Sequence, residues 1–447
     1  MFRAIRELLR FAFPVMVGQV GLMLIGAGDV YIATQHSTTA LAAIGLAVAF
    51  ANPVLIVGLA FQFALSPLIA KRRGEGAETD LLVGSTLAYA LLLSLPFMAA
   101  TYLAAELVPL LGYDAKITEM VSSYVRISVG SIPGVFIYTS LREWLQAHER
   151  TLWANAVSIL GVPLNLVFNW ALVFGRFGLP ELGVDGLAWA SLLIRWCMGL
   201  ALLVPLATQL FRTRAVEWEF LGAVFRLGWP GAVAMFFEVM AFCSVTLFVG
   251  KFGEVQTAAN NLVLTLASVT FMIPTAIASA VGVKVGHAFG EKSLRSLRRY
   301  AAAGLVMSLS FMGCSALSFG FFPQQILAVF GAAPEVIAVA IGLIYWVALF
   351  QVFDGAQVTL GAILRGLTIS RPVSIVSFVG YWVFGIPLGW TLAYKFDYQA
   401  QGFWVGLALS LALVAIGLAV LTWRRILELA ADGNDDSRAA VLKHATE

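Results

Sequence analysis

Charged residues are scarce in this sequence. Asp, Glu, Lys and Arg make up only 12% of the 447 residues, apolar residues make up 60%, and the mean hydropathy is +0.89. So few charges exclude a soluble globular domain, in which about a quarter of the residues are charged. The composition therefore indicates a polytopic membrane protein.

Cysteines and enzyme motifs are also lacking. The three cysteines, Cys197, Cys243 and Cys314, stand singly in different apolar segments, and their spacing gives no metal site. We expect them to be reduced core residues. The sequence contains no DDxxD-like carboxylate cluster, no HExxH and no phosphate-binding glycine loop. We therefore expect a protein that is not an enzyme and that has neither a cofactor nor a nucleic-acid partner.

What the chain does contain is a succession of long apolar segments. A helix needs about 20 apolar residues to cross a bilayer core, and twelve segments reach this length. The predicted spans are 11–34, 41–70, 81–105, 117–147, 152–174, 184–210, 221–250, 255–286, 297–322, 335–365, 372–395 and 401–423. Eleven of the fifteen prolines lie inside them, which predicts bent helices.

The basic residues are concentrated in alternate loops. Of the 28 Lys and Arg, 22 fall on the side of both termini and four on the other side, while Arg126 and Arg195 lie within spans. Because basic loops remain in the cytoplasm, we expect both termini to be cytoplasmic. The predicted location is the cell inner (cytoplasmic) membrane, which the chain crosses several times.

The second half of the chain repeats the first. LRFAFPVMVGQV around Pro14 matches FRLGWPGAVAMF around Pro230 at an offset of 216 residues, and Gly186 falls on Gly402 at the same offset. Each copy holds six spans, an even number, so both copies enter the membrane in the same orientation. The predicted fold is all-α, with twelve transmembrane helices in two six-helix bundles related by a pseudo-twofold axis along the membrane normal.

The repeat also defines the predicted domains. We expect an N-lobe at 1–210 with spans 1–6, a cytoplasmic linker at 211–220, a C-lobe at 221–425 with spans 7–12, and a polar cytoplasmic tail at 426–447. Two such bundles typically enclose a substrate site near the middle of the bilayer and operate by alternating access.

One carboxylate, Asp354, lies near the middle of the apolar segment 341–366. Inserting a charge at that depth costs about 2.5 to 3.5 kcal/mol, so such groups face a bundle interior or a wet cavity and are functional by default. At helical spacing Gln351 and Gln357 share its face. The alternative is a buried Asp that is paired for packing.

Several segments carry a resemblance to a known family. The segment 14–76, with its AKRRGEG end, resembles the first two helices of the multidrug and toxic compound extrusion (MATE) family. FFEVMAF around Glu238, PTAIASAVGVKVGHAFGE at 274–291 and FDGAQVTLGAILRG at 353–366 resemble its NorM-like branch. The resemblance covers essentially the whole chain. It implies a cation-coupled antiporter that exports small organic, often cationic and aromatic compounds in exchange for H⁺ or Na⁺.

The resemblance also implies three coupling residues. Asp29 in span 1 matches the acidic residue of the family's N-lobe cavity, and Glu238 and Asp354 match its C-lobe pair. Asn165 and Asn169 match the family pattern P-x-N-x-x-x-[ND] as PLNLVFN. These two amides are therefore predicted companions of Asp29.

A Na⁺ site formed by Glu238 and Asp354 would need further oxygen ligands, for which Gln351 lies nearby. NorM-like members commonly have a tyrosine four residues before the span-10 Asp, where this chain has Phe350. The missing hydroxyl weakens a Na⁺ site there, and both H⁺ and Na⁺ remain open as the coupling ion.

Two further groups complete the predictions. Ser191 in span 6 is another polar companion of Asp29, and Phe350, Trp382 and Phe384 are predicted to line a substrate cleft, since cation–π contacts suit organic cations. Arg126 and Arg195 are expected near acidic residues of the N-lobe, with their partners left open.

A second class of function is considered as well. A lipid-linked oligosaccharide flippase of the related exporter superfamily would have the same paired bundles. We expect Arg and Lys to line its cleft for a pyrophosphate headgroup, whereas the candidates here are acidic. For either function we expect a monomer in contact with membrane lipid.

Overall fold

A computed structural model describes residues 1–212 and 215–444, and within them the chain forms helices and no strands. Residues 213–214 of the predicted linker and 445–447 of the predicted tail lie outside the described residues. The helices are α1 (Phe2–His36), α2 (Thr38–Gln62), α3 (Leu65–Gly74), α4 (Leu82–Leu107), α5 (Ala115–Val129), α6 (Ile132–Ala147), α7 (Thr151–Val173), α8 (Gly183–Leu203), α9 (Ala207–Arg212), α10 (Trp218–Gly250), α11 (Glu254–Gly290), α12 (Leu294–Phe321), α13 (Pro323–Ala328), α14 (Pro334–Gly366), α15 (Arg371–Phe378), α16 (Ile386–Lys395) and α17 (Gln399–His444).

These helices match the predicted membrane spans. Eleven helical segments of the described chain are long and apolar enough to cross a membrane, and there are twelve if the bent pair α5 and α6 counts as one span. The prediction of an all-α polytopic membrane protein with twelve spans is therefore confirmed. The last helix continues to His444, well beyond the apolar segment that ends at 423.

The bend between α5 and α6 has a local cause. The two helices meet at 46°, and Pro133 stands in the first turn of α6. A proline ring clashes with the carbonyl group four residues earlier, which here belongs to Val129, the last residue of α5. The helix is therefore interrupted between these two residues.

The chain forms two compact units. The unit called the N-terminal unit below contains 11–69 and 77–236, and the C-terminal unit contains 1–10, 70–76 and 237–447.

In the N-terminal unit, α6 is the central helix. Every residue from Phe136 to Ala147 is buried, because α4 and α8 pack against it. Arg142 and Glu143 are buried here as an ion pair with 3.7 Å between Nη2 and Oε1, and Ser66 Oγ donates to Glu143 Oε2 over 2.5 Å. This charged pair is held by protein groups inside the bundle.

In the C-terminal unit, α14 packs against α11, α12 and α17. The segment Val379–Gly385 between α15 and α16 is a π-helix. It precedes Pro387, which has no N–H group to donate to the carbonyl oxygen four residues earlier. Such π segments are frequent at functional sites, and this one carries Tyr381.

The three cysteines are free but exposed, so the prediction that they are core residues is wrong. They lie on exposed faces of α8, α10 and α12. The outer surface of a membrane protein is as apolar as its interior, because lipid takes the place of water. Hydropathy alone therefore does not distinguish the two environments.

Candidate functional site

Asp29 lies on α1, and its carboxylate is hydrogen-bonded by side chains of α7 and α8. Asn169 Nδ2 donates to Asp29 Oδ1 over 2.6 Å, and Ser191 Oγ donates to Oδ2 over 2.9 Å. Asn169 Nδ2 also donates to Asn165 Oδ1 over 3.1 Å. The structure thus brings together all four residues that were predicted for the N-lobe.

The two asparagines retain unused hydrogen-bonding capacity. They lie one turn apart on α7 and are fully buried, yet Asn165 Nδ2 and Asn169 Oδ1 have no hydrogen-bond partner among the described residues. Because each amide carries both a donor and an acceptor, the cluster offers a spare donor and a spare acceptor beside the carboxylate. Such surroundings suit a protonated carboxyl group or an oxygen-seeking cation equally well.

A cavity of about 260 Å³ lies next to Asp29 within the N-terminal unit. Two charged residues line it, Asp29 and Arg195, together with a few polar groups that include Tyr124 and Asn52. The remaining lining residues are apolar. Ligand sites commonly show this combination of apolar walls with a few placed polar groups.

The two arginines predicted within spans have different surroundings. Arg126 forms an exposed ion pair with Glu106, with 2.8 Å between Nη2 and Oε1. Arg195 instead donates from Nη1 to Ser131 Oγ over 2.7 Å. It interacts electrostatically with Asp29, but no ion pair joins the two side chains.

In the C-terminal unit, Glu238 on α10 is the end of a short chain of hydrogen bonds. Gln357 Nε2 donates to Glu238 Oε2 over 3.1 Å, and the Tyr381 hydroxyl donates to Gln357 Oε1 over 3.2 Å. Tyr381 is fully buried. This series of hydrogen bonds therefore fixes one oxygen of Glu238 as an acceptor.

Gln357 and Tyr381 were missed as site residues by the sequence analysis. Gln357 shares the helical face of Asp354, which was a usable signal. The 216-residue repeat supplied the other signal, because it places Tyr381 at the position of Asn165. Both positions carry a side chain that hydrogen-bonds near an acidic residue.

Asp354 is buried on α14 and interacts electrostatically with Glu238. No hydrogen bond to its carboxylate occurs in the described part of the chain. One turn away, Gln351 accepts a hydrogen bond from Ser315 over 2.8 Å, while Gln351 Nε2 is buried and has no partner in the part of the chain that the structure describes. Asp354 and this amide are thus free to bind an ion or water.

The three aromatic residues predicted for a substrate cleft have unlike environments. Phe350 is only 3% exposed and packs edge-on against Phe242 and Trp404. It therefore belongs to the core and lines no open cleft in this conformation. Trp382 is partly buried and donates to the Phe237 carbonyl over 3.0 Å, whereas Phe384 is exposed.

No group of three or more His, Cys, Asp or Glu residues suited to a metal ion occurs among the described residues. What the helices do hold is a set of single or paired carboxylates beside neutral amides and hydroxyls. These features define a polytopic helical membrane protein with acidic groups inside each of its two units.

Comparison with known proteins identifies the family. The MatE family model matches residues 14–171 and 230–391, and the chain belongs to this family. It is 31% identical to the probable multidrug resistance protein NorM of Mesorhizobium japonicum, over 94% of both chains. It is 30% identical to the multidrug resistance protein NorM of Vibrio vulnificus, over 93% of this chain and 95% of the relative.

Solved structures support the fold. The eukaryotic MATE transporter AtDTX14 is similar with a TM-score of 0.85 at 20% identity, covering 96% of this chain and 98% of that chain. A MATE crystal structure in the bent conformation gives a TM-score of 0.87 at 18% identity, with the same coverage of both chains.

Proposed function

We propose that this protein is a cation-coupled antiporter that exports organic, often cationic and aromatic compounds across the cytoplasmic membrane by alternating access. The observation that carries the proposal is the state of three acidic residues inside the helices, Asp29, Glu238 and Asp354. None of them forms an ion pair with another described residue, and the hydrogen-bond donors to Asp29 and Glu238 are neutral amides and a hydroxyl. The relatives named multidrug resistance protein support efflux of drugs.

The absence of a basic partner matters for coupling. A carboxylate paired with Lys or Arg is already neutralised, whereas one that is held by neutral groups gains most from binding a proton or a cation. Coupling then needs only that the cation and the exported compound favour different conformations, or that they exclude each other. The ion gradient supplies the direction of transport.

The two units support different versions of this chemistry. Asp29 has a spare amide donor and acceptor beside it, which suits proton exchange because no complete coordination shell is needed. Glu238 and Asp354 supply two carboxylates, and the Gln351 amide lies one turn from Asp354, which suits one dehydrated Na⁺ or one shared proton. We propose H⁺ coupling at both sites, with Na⁺ as a close competitor at the pair in the C-terminal unit.

The remaining organisation is part of the same proposal. An N-lobe at 1–210 and a C-lobe at 221–425, joined by the linker 211–220, would form the two moving bodies. The placement of basic residues supports cytoplasmic termini in the inner membrane, with the tail 426–447 on the same side. We expect the transporter to act as a monomer.

A lipid-linked oligosaccharide flippase is not favoured. That function calls for several basic residues around a pyrophosphate group, whereas the one cavity described above is lined by a single arginine, Arg195, beside the acidic Asp29. The names of the curated relatives also favour drug efflux.

The test uses purified protein in proteoliposomes and a fluorescent organic cation such as ethidium. A pH gradient and a Na⁺ gradient are imposed separately, each with the other collapsed. We expect at least one of them to drive transport. Transport that proceeds equally well without either gradient would contradict the proposal.

A further inference from the structure

The cavity of the N-terminal unit contains two opposite charges that do not neutralise each other. Asp29 and Arg195 both line it, and no ion pair within 4.0 Å joins them. Both Asp29 oxygens accept hydrogen bonds from neutral side chains. Arg195 is partly buried, and among the described side chains Ser131 alone accepts a hydrogen bond from it.

The position of the Arg195 side chain is well defined. Ser131 is fully buried, and its hydroxyl donates to the Ser128 carbonyl over 2.7 Å, so the same oxygen is left to accept from Arg195. One end of the guanidinium group is thereby anchored. Its other N–H groups remain available on the side of the cavity that Arg195 lines.

An arginine inside membrane helices is costly to keep, and no other residue that the structure describes forms an ion pair with Arg195. A planar guanidinium group with free N–H donors binds a carboxylate through two parallel hydrogen bonds. In the same cavity, the Asp29 carboxylate attracts a positive charge. The cavity therefore presents complementary charges to a compound that carries both signs.

We propose that Arg195 is a specificity-determining residue that binds a carboxylate of the exported compound, while Asp29 attracts its ammonium group. This inference rests on the proposed function and concerns which residue of this cavity recognises the carboxylate of a zwitterionic aromatic compound. The apolar walls, which include Val30, Ile44 and Val48, contact the ring. A volume of about 260 Å³ suits a single-ring compound, because it lies just below the usual range of ligand pockets.

The experiment measures binding directly, by equilibrium dialysis of the purified full chain in detergent. The probes are 4-(aminomethyl)benzoate and its methyl ester, both radiolabelled. Both carry a ring and an ammonium group, and only the acid carries a carboxylate. We expect wild-type protein to bind the acid more tightly than the ester. Arg195→Gln should lower the affinity for the acid about tenfold to hundredfold and change the affinity for the ester by no more than about twofold.

Further variants sharpen the result. Arg195→Lys keeps the charge without the planar fork, so we expect an intermediate preference for the acid. Ser131→Ala removes the hydroxyl that accepts from Arg195. We expect it to lower the affinity for the acid but not for the ester, by a smaller factor than Arg195→Gln does. Arg126→Gln is the matched control, because it removes an exposed arginine that does not line the cavity, and we expect no change.

Equal binding of acid and ester by wild-type protein would overturn the inference, and so would an equal loss of both probes in Arg195→Gln. If Arg195→Gln does not fold, as judged by size-exclusion chromatography, an unchanged preference in Arg195→Lys and Ser131→Ala overturns it. Dialysis requires no ion gradient. A protein that fails to couple transport to H⁺ or Na⁺ therefore still gives a valid answer about Arg195.

Discussion

The two units of the protein hold their acidic residues in opposite ways. In the N-terminal unit a single carboxylate, Asp29, receives hydrogen bonds from two other helices and borders a cavity. In the C-terminal unit two carboxylates interact electrostatically, but the Gln357 amide donates to Glu238 alone, and Asp354 has no hydrogen bond within the described residues. Asp29 therefore accepts two hydrogen bonds from side chains, whereas the pair Glu238 and Asp354 accepts one among the described residues.

This difference arises on a duplicated scaffold. At the offset of 216 residues, Asp29 corresponds to Val245 and Glu238 corresponds to Leu22, so the acids of the two halves do not occupy equivalent positions. The hydrogen-bonding position on the fifth helix of each half is conserved in place, as Asn165 and Tyr381. The repeat preserves the helix arrangement while the acids have diverged.

The two sites differ in how strongly their carboxylates need a bound proton or cation. Asp29 is supported by neutral groups in either protonation state. Two close carboxylates repel each other when both are charged, so a bound proton or cation stabilises the pair in the C-terminal unit. We therefore expect this pair to depend more strongly on a coupling ion, and we rank the predictions accordingly.

The largest effect is expected from Asp354→Asn. The amide cannot alternate between charged and neutral forms, so gradient-driven efflux should be abolished while the protein still inserts. Drug resistance of cells and ethidium efflux measure this at matched expression. Asp397→Asn is the control, because Asp397 is exposed in a left-handed turn that asparagine tolerates. Full resistance with Asp354→Asn would contradict the account.

The next prediction tests whether Glu238 and Asp354 act as one unit. Because interacting carboxylates titrate as a pair, Glu238→Gln combined with Asp354→Asn should lose little more activity than the worse single variant. Initial transport rates of the four proteins form a double-mutant cycle. Losses that multiply independently would show two separate roles.

A smaller effect is expected at the other site from Asn169→Ala. Asp29 would lose the 2.6 Å hydrogen bond but keep the one from Ser191. Loss of one such bond should lower the transport rate at limiting ion concentration by about tenfold. Asn261→Ala, on an exposed face of α11, provides the control. Equal rates for wild type and Asn169→Ala would show that Asp29 does not need this partner.

The smallest effect is expected from Phe350→Tyr, which restores the hydroxyl group that NorM-like members commonly have. We expect the Na⁺ dependence of transport to become stronger by a few-fold, because a further oxygen ligand becomes available near Asp354. The ring is buried against Phe242 and Trp404, which limits how far the hydroxyl can reach. A Na⁺ dependence equal to that of wild type would contradict the expectation that the missing hydroxyl weakens a Na⁺ site there.

Much of the fold could be predicted from the sequence because hydropathy and proline positions act locally. The twelve spans follow from apolar segment lengths, and the break before α6 follows from Pro133. The side of each helix that faces inward was harder to predict. Cys197, Cys243 and Cys314 were predicted to be core residues but are exposed. The prediction failed because hydropathy does not distinguish the outer face of a membrane helix from its inner face.

The acidic residues of the candidate sites could be predicted from the sequence, but their partners on other helices could not. An intramembrane charge is conspicuous, so Asp29, Glu238 and Asp354 could be found along the chain. Their partners on other helices depend on packing that no local pattern encodes, as with Tyr381. The position of Arg195 on the Asp29 cavity likewise depends on how α1 and α8 are placed.

The central claim is that the intramembrane carboxylates bind a cation that the exported compound displaces. The most direct measurement is cation release when ethidium binds to purified protein, followed by a pH indicator for H⁺ and by ²²Na⁺ for Na⁺. We predict release of H⁺ or Na⁺ by wild-type protein, with the C-terminal share lost in Glu238→Gln combined with Asp354→Asn and the remainder lost when Asp29→Asn is added. Ethidium binding with no release of either cation from wild-type protein would contradict the account.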